Sequence, residues 1–266
     1  MNKASAKSPG GSKRNSAGAS AKESTEARLE EAMAWLRQHA SEVTRDGMAR
    51  YAIPADKALG VSMADIKLLA KRVGRDHALA GALWATDCYE ARLLSSLVDD
   101  PARVTSAQMD RWCGDFDNWG ICDTLCFNLF DRTPHAWLKV EQWASRREEF
   151  VKRAAFALLA SLALHDRSTE DERFLGCLPW VESAAVDERN FVKKSVSWSL
   201  RAIGERSPSL HQAALKLSRK LAMPARTAAE KWIGKDVIKA LQRPAVAKRL
   251  ARRENGPSSS KDHRSS

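Results

Sequence analysis

From residue 25 to residue 242 apolar side chains recur every three or four positions, and nowhere do they alternate with polar ones for more than a few residues. That period belongs to an amphipathic helix and argues against a half-buried sheet. Helix ends are also written in the chain. Ser62 precedes MADIKLLAKRV, with Asp65 near the positive end and Gly74 past the stop, and Thr86 opens a segment carrying Leu93, Leu94 and Leu97. Further helices are expected near 25–39, 75–84, 105–113, 118–130, 137–145, 148–165, 173–185, 188–204, 209–222 and 225–242. Joined by short turns, such helices form antiparallel pairs in which each pair buries its apolar face against the next, an all-α α-solenoid. A compact bundle fits the same spacing, and no strict sequence period separates the two.

The flanks differ in kind. Residues 1–24 hold Ser, Gly, Ala and Lys with almost no large apolar side chain, and residues 254–266 read the same way. Neither can offset its ordering entropy by burial, so both are expected as disordered tails around a single domain over 25–253. No run of 18 apolar residues exists to span a membrane, and the N-terminus lacks the apolar core of a secretory signal. The five cysteines are odd in number and show no C-x-x-C spacing, which fits small core residues in a reduced cytoplasmic setting. Cys122 and Cys126 lack the neighbouring ligands that zinc would need, so no metal is expected.

Charge is where the chain is most uneven. Of the net +11, residues 1–26 carry +3 and residues 27–188 carry −6, while residues 189–253 set seventeen Lys and Arg against Glu205, Glu230 and Asp236. So basic a final third points to a polyanionic partner, most often nucleic acid; the plain alternative is solvation of helix faces.

Four helices carry polar residues that the core does not explain. In ERNFVKKSVSWSLRAIG, Val192, Val196, Leu200 and Ile203 form the core stripe, which leaves Lys194, Trp198, Arg201 and Glu205 opposite. An indole there either packs under a neighbouring loop or offers an aromatic plane between two cations to a phosphate–sugar backbone. In NWGICDTLCFNLF, Asp123 shares a face with Trp119, Phe127 and Phe130; such a carboxylate either pairs with an arginine or works in a cleft. In FVKRAAFALLASLALHD, Arg153 lies beside Ala157 and Ala160, where a partner backbone can approach; a buried ion pair with Asp123 is the rival reading. Finally, Lys231, Lys235 and Lys239 oppose Ile233, Val237 and Leu241, a basic amphipathic helix with no further specificity.

The segments RYAIPADKALGVSMADIKLLAKRVG, LWATDCYEARLLSSLVDD, NWGICDTLCFNLFDRTP, EFVKRAAFALLASLALHD and DERNFVKKSVSWSLRAIGERSP resemble the AlkD-type DNA alkylation repair family. The resemblance spans about residues 26–242. Its most specific parts are W-x-x-x-D from Trp119 to Asp123, K-R-A-A around Arg153, and W-x-x-R from Trp198 to Arg201. It implies a HEAT-like (armadillo-like) α-solenoid that binds DNA on its concave surface and excises alkylated bases. By the same resemblance, Asp123 is the catalytic carboxylate and Trp119 and Trp198 flank it against the deoxyribose. Arg153 and Arg201 contact the DNA backbone, and Tyr51 is an aromatic near the cleft; Lys194 joins them as a cation of the same face. Gly120 departs from the family's pattern, which has an acidic residue directly after the tryptophan.

What the resemblance implies chemically suits these residue types. An N3- or N7-alkylated purine is cationic and already a good leaving group, so no strong acid is needed at the base. An ionised Asp123 would stabilise the oxocarbenium-like sugar and orient a water, while the indoles add cation–π stabilisation. The family acts without flipping the base into a pocket, in base excision repair, and needs no cofactor. The implied partner is double-stranded DNA containing alkylated bases, met by a monomer at the nucleoid in the cytoplasm. Two other readings stay open: a HEAT-like DNA-binding protein without catalysis, and a protein-interaction scaffold.

Overall fold

A computed structural model of the chain describes residues 13–254, and among them every regular element is helical. The described residues divide between Asp100 and Pro101 into two compact units, where the sequence suggested one domain over 25–253. The first unit contains α1 (Lys13–Gln38), α2 (Glu42–Gly47), a 3-10 turn (Met48–Tyr51), α3 (Met63–Val73), α4 (His77–Ala85) and α5 (Tyr89–Val98). Residues 1–12 of the expected basic tail lie outside the described residues. Residues 13–24 form the first part of α1.

Of the two helix openings read from the sequence, Ser62 is in place, while Thr86 closes α4 and Cys88 precedes α5; Asp76 is a cap the sequence reading did not name. Ser62 accepts from the Asp65 amide at 3.2 Å, and Asp76 accepts from the Leu79 amide at 3.0 Å while pairing with Arg28 of α1. The buried carboxylate of Glu90, on α5, accepts from three successive amides, Leu59 at 2.9 Å, Gly60 at 2.7 Å and Val61 at 3.2 Å. This fastens the loop before α3. Gly60 needs its missing side chain there, with φ +82° and the carbonyl of Ser41 only 2.1 Å from where a Cβ would stand.

The second unit contains α6 (Ser106–Gly114), α7 (Trp119–Asn128), a 3-10 turn (Phe130–Arg132), α8 (Ala136–Ala144), α9 (Glu149–His165), α10 (Asp171–Ala184), α11 (Asn190–Gly204), α12 (Pro208–Ala222), α13 (Ala228–Leu241) and α14 (Pro244–Glu254). The last of these follows the last expected helix, near 225–242, and residues 255–266 lie outside the described ones. Two antiparallel pairs stand out from their long-range bonds and a third pair from its close packing. Trp137 near the start of α8 donates to Asp166 just after α9, at 3.3 Å, and Arg206 after α11 meets Asp171 at the start of α10, at 3.4 Å. In the third pair, α12 and α13 approach so closely at Gly234 that a Cβ would lie 2.5 Å from the Ser218 carbonyl oxygen.

The second helices of these pairs, together with α7, form one row. Asp123 of α7 and Asp131 of the following 3-10 turn meet Arg153 and Ser161 of α9; Phe191 of α11 and Arg206 just after it meet Arg153 and Ala163 of α9; Lys193 and Ser197 of α11 meet Trp232 and Asp236 of α13. Residue numbers rise together at every step, so the four helices run parallel, as stacked HEAT-like pairs require. In the middle of the row, α9 is buried from Val151 to Ala163 apart from Lys152. Its alanines let α7 settle close enough for the thiols of Cys122 and Cys126 to sit 3.8 Å and 3.6 Å from the carbonyls of Phe150 and Ala154. Both are core residues, as expected.

Candidate functional site

The residues singled out on α7, α9 and α11 come together along this row. Asn118 caps α7 by accepting from the Ile121 amide at 3.0 Å, which starts the helix so that Trp119, Asp123 and Phe127 stand one turn apart on one face. The guanidinium of Arg153 grips Asp123 with two bonds, Nε to Oδ1 at 2.9 Å and Nη2 to Oδ2 at 2.6 Å. Its third nitrogen donates to the Phe191 carbonyl at 2.7 Å. One side chain thereby ties three helices.

The rival reading of Arg153 is therefore present in the structure. The arginine side chain is 7% exposed, and it is the counter-ion and orienting clamp of Asp123 rather than an outward cation for a DNA backbone. The aspartate, at 20%, remains partly open. Burial pushes the Asp123 carboxyl above the usual carboxylate range, against the charge and hydrogen bonds of Arg153, which pull it down. On Arg153 burial works against the charge, but the Asp123 carboxylate outweighs it and raises the value.

Around this pair the row is aromatic. Trp198 is half-buried and stacks on Phe127, with ring centres 6.2 Å apart and planes 19° apart, and Phe127 in turn meets the edge of His165 at 4.3 Å. The indole thus packs on a ring of α7, one turn from Asp123. Trp119, also half-buried, lies one turn to the other side of Asp123. Lys194 is exposed, and Arg201 is half-buried, with its Nε 3.7 Å from Asp236. Tyr51 is 67% exposed on the 3-10 turn of the first unit. Gly120 is buried in the first turn of α7, where an acidic side chain would need a partner of its own.

Two features escaped the sequence. His165 bonds through Nδ1 to the nearly inaccessible Asp131 at 2.6 Å, with Ser161 donating to the same oxygen at 2.6 Å. The signal was there: Arg153, Ala157, Ser161 and His165 are spaced by four on α9. Trp232 lies exposed on α13 with Lys193 over its ring, and only its position off the core stripe of Ile233 and Val237 could have marked it. Among the described residues no group of His, Cys, Asp and Glu is arranged to hold a metal ion, and no helix is long and apolar enough to cross a membrane.

A family profile described as "DNA alkylation repair enzyme" matches residues 32–233. Among curated proteins none matches the chain. One solved structure, described as "A new family of proteins related to the HEAT-like repeat DNA glycosylases with affinity for branched DNA structures", is similar at a TM-score of 0.68 and 17% identity, over 79% of this chain and 94% of that one. A designed armadillo repeat protein in complex with the peptide (KR)4 is similar at a TM-score of 0.35 and 12% identity, over 71% and 80% of the two chains, too distant to bear on the fold.

Proposed function

The chain belongs to the DNA alkylation repair enzyme family, and from that premise we propose that it is a DNA glycosylase that hydrolyses the N-glycosidic bond of cationic N3- and N7-alkylated purines in duplex DNA. The observation that carries this reading is the Asp123–Arg153 pair. A carboxylate is held bidentate and oriented, is still partly open, and stands on one helix face with Trp119 and Phe127, the latter under Trp198. A fixed negative charge beside aromatic planes is what a developing sugar cation needs. In the proposed reaction the bond from C1′ to the base breaks with its electron pair going to the base, which leaves neutral. Water adds at C1′ and loses its proton to the solvent. Asp123 stabilises the cation and orients the water, Trp119 and Trp198 flank the sugar, and Arg153 keeps the carboxylate ionised and aimed. The base stays unflipped, no cofactor takes part, and nothing in the scheme needs a second copy of the chain.

A second reading has its own observation. Both oxygens of Asp123 are already engaged by Arg153, as in a purely structural ion pair, and the similar solved structure is described by its affinity for branched DNA. A DNA-binding protein without excision would look this way. Each carboxylate oxygen keeps a further lone pair, however, so the clamp leaves acceptor capacity for a water or a sugar. Incubation with a duplex carrying one N7-methylguanine, scored for abasic sites, separates the readings: excision above the spontaneous rate supports the first and its absence the second.

Binding makes a prediction of its own. Lys194→Gln and Arg201→Gln should each weaken affinity for damaged and undamaged duplex alike, because phosphate contacts carry no sequence information. Each should also make the log–log salt slope shallower by roughly 0.9. Lys194 is exposed, so its variant should melt like the parent. Unchanged affinity at moderate salt in both would remove these residues from the interface.

A further inference from the structure

The side of α13 turned away from the core carries Lys231, Lys235 and Lys239, all exposed, and beside them Trp232, which is 39% exposed. No other tryptophan among the described residues is as open. Lys193 of α11 lies over its ring, 5.2 Å from the centre. The two acids of α13 are engaged elsewhere: Asp236 accepts from Ser197 at 2.6 Å and faces Arg201, while Glu230 is buried against Arg226. What remains is an exposed indole with the Lys193 ammonium over its ring, on a helix that carries three exposed lysines.

That combination selects its occupant. An apolar protein surface would meet too many cations, and an acidic peptide offers carboxylates but no plane for the indole. A nucleic-acid strand offers both a phosphate on each residue and an aromatic plane. In a duplex those planes are stacked on one another and closed to a side chain, so the strand must be unpaired. Parallel helices in a row are roughly 8–10 Å apart, which puts α13 three steps, or roughly 25–30 Å, from the helix that carries Asp123. We propose that α13 is a binding site for single-stranded DNA, in which Trp232 stacks on an unpaired base and Lys193, Lys231, Lys235 and Lys239 hold the flanking phosphates. The proposal rests on reading the row as a DNA-binding face, and is independent of excision at Asp123.

The test uses the full chain and a labelled oligothymidylate of roughly a dozen nucleotides, within the site sizes single-strand binders occupy. Trp232→Ala should lose binding to it by roughly 5- to 100-fold, the usual scale of one base–aromatic stack, while Trp232→Phe keeps most of it. Affinity for undamaged duplex and release of N7-methylguanine should stay at the parental level in both. The proposal is overturned if the parent does not bind the oligothymidylate, if Trp232→Ala binds it as the parent does, or if Phe fails to rescue it. It is also overturned if Trp232→Ala weakens duplex to the same degree, since the indole would then serve the whole face. If Lys194→Gln and Arg201→Gln leave duplex binding intact while the Trp232 effect holds, the duplex reading falls and the single-strand site stands.

Discussion

Arg153→Ala should lower the stability of the protein by about 3–5 kcal/mol, the usual loss when one partner of a buried ion pair is removed. The side chain holds both oxygens of Asp123 and the carbonyl of Phe191, so its removal strands a carboxylate and an acceptor between α7, α9 and α11. For a unit of this size the loss is a fall in melting temperature of roughly 10 °C. Arg153→Lys keeps the charge but not the fork, so it should fall between the parent and the alanine variant. Thermal unfolding of the three proteins checks this. A melting temperature unchanged in Arg153→Ala would mean that the pair contributes nothing to the packing of the row.

Asp123→Asn should lose excision of N7-methylguanine by roughly 10²- to 10³-fold, the scale of removing one preorganised electrostatic partner, about 2.7–4 kcal/mol. Asn has nearly the same shape but no charge, and its amide N–H would face a guanidinium N–H in place of an oxygen. Some stability is therefore lost with the activity, about 1–3 kcal/mol for the donor left unsatisfied. Duplex affinity should stay close to the parental value, because the exposed Lys194 and the half-buried Arg201 are untouched. Working well below the melting temperature separates the two effects: a structural role alone would leave single-turnover excision by the folded fraction at the parental rate.

The helices were legible because they depend on local spacing. Ser62 and the stripe of Val192, Val196, Leu200 and Ile203 are where their neighbours in the chain require. Missed elements lacked such a signal: α2 has no buried residue, and α14 lies beyond the last long apolar repeat, holding on by Val246 and Leu250. In the candidate site, the joining of Asp123 to Arg153 could be named as a rival but not chosen, because it is made thirty residues apart across two helices. The same limit hid the bond from His165 to Asp131, where the thirty-four-residue separation carries no local pattern. Trp232 was passed over for another reason. Beside Ile233 it reads as one more apolar residue unless its place off the core stripe is weighed, and its exposure and the Lys193 ammonium mark it as a surface group.

If ionised Asp123 drives loss of the base, the pH dependence of single-turnover N7-methylguanine release, parent beside Asp123→Asn, must show it. Burial raises the Asp123 value and the charged form is the active one, so the parental rate should fall as pH drops. The midpoint should lie above the ordinary aspartate value of about 3.9, and the background-corrected Asn profile should be low and flat. A parental profile without that acid limb, or an Asn variant that releases the base at the parental rate, would contradict it.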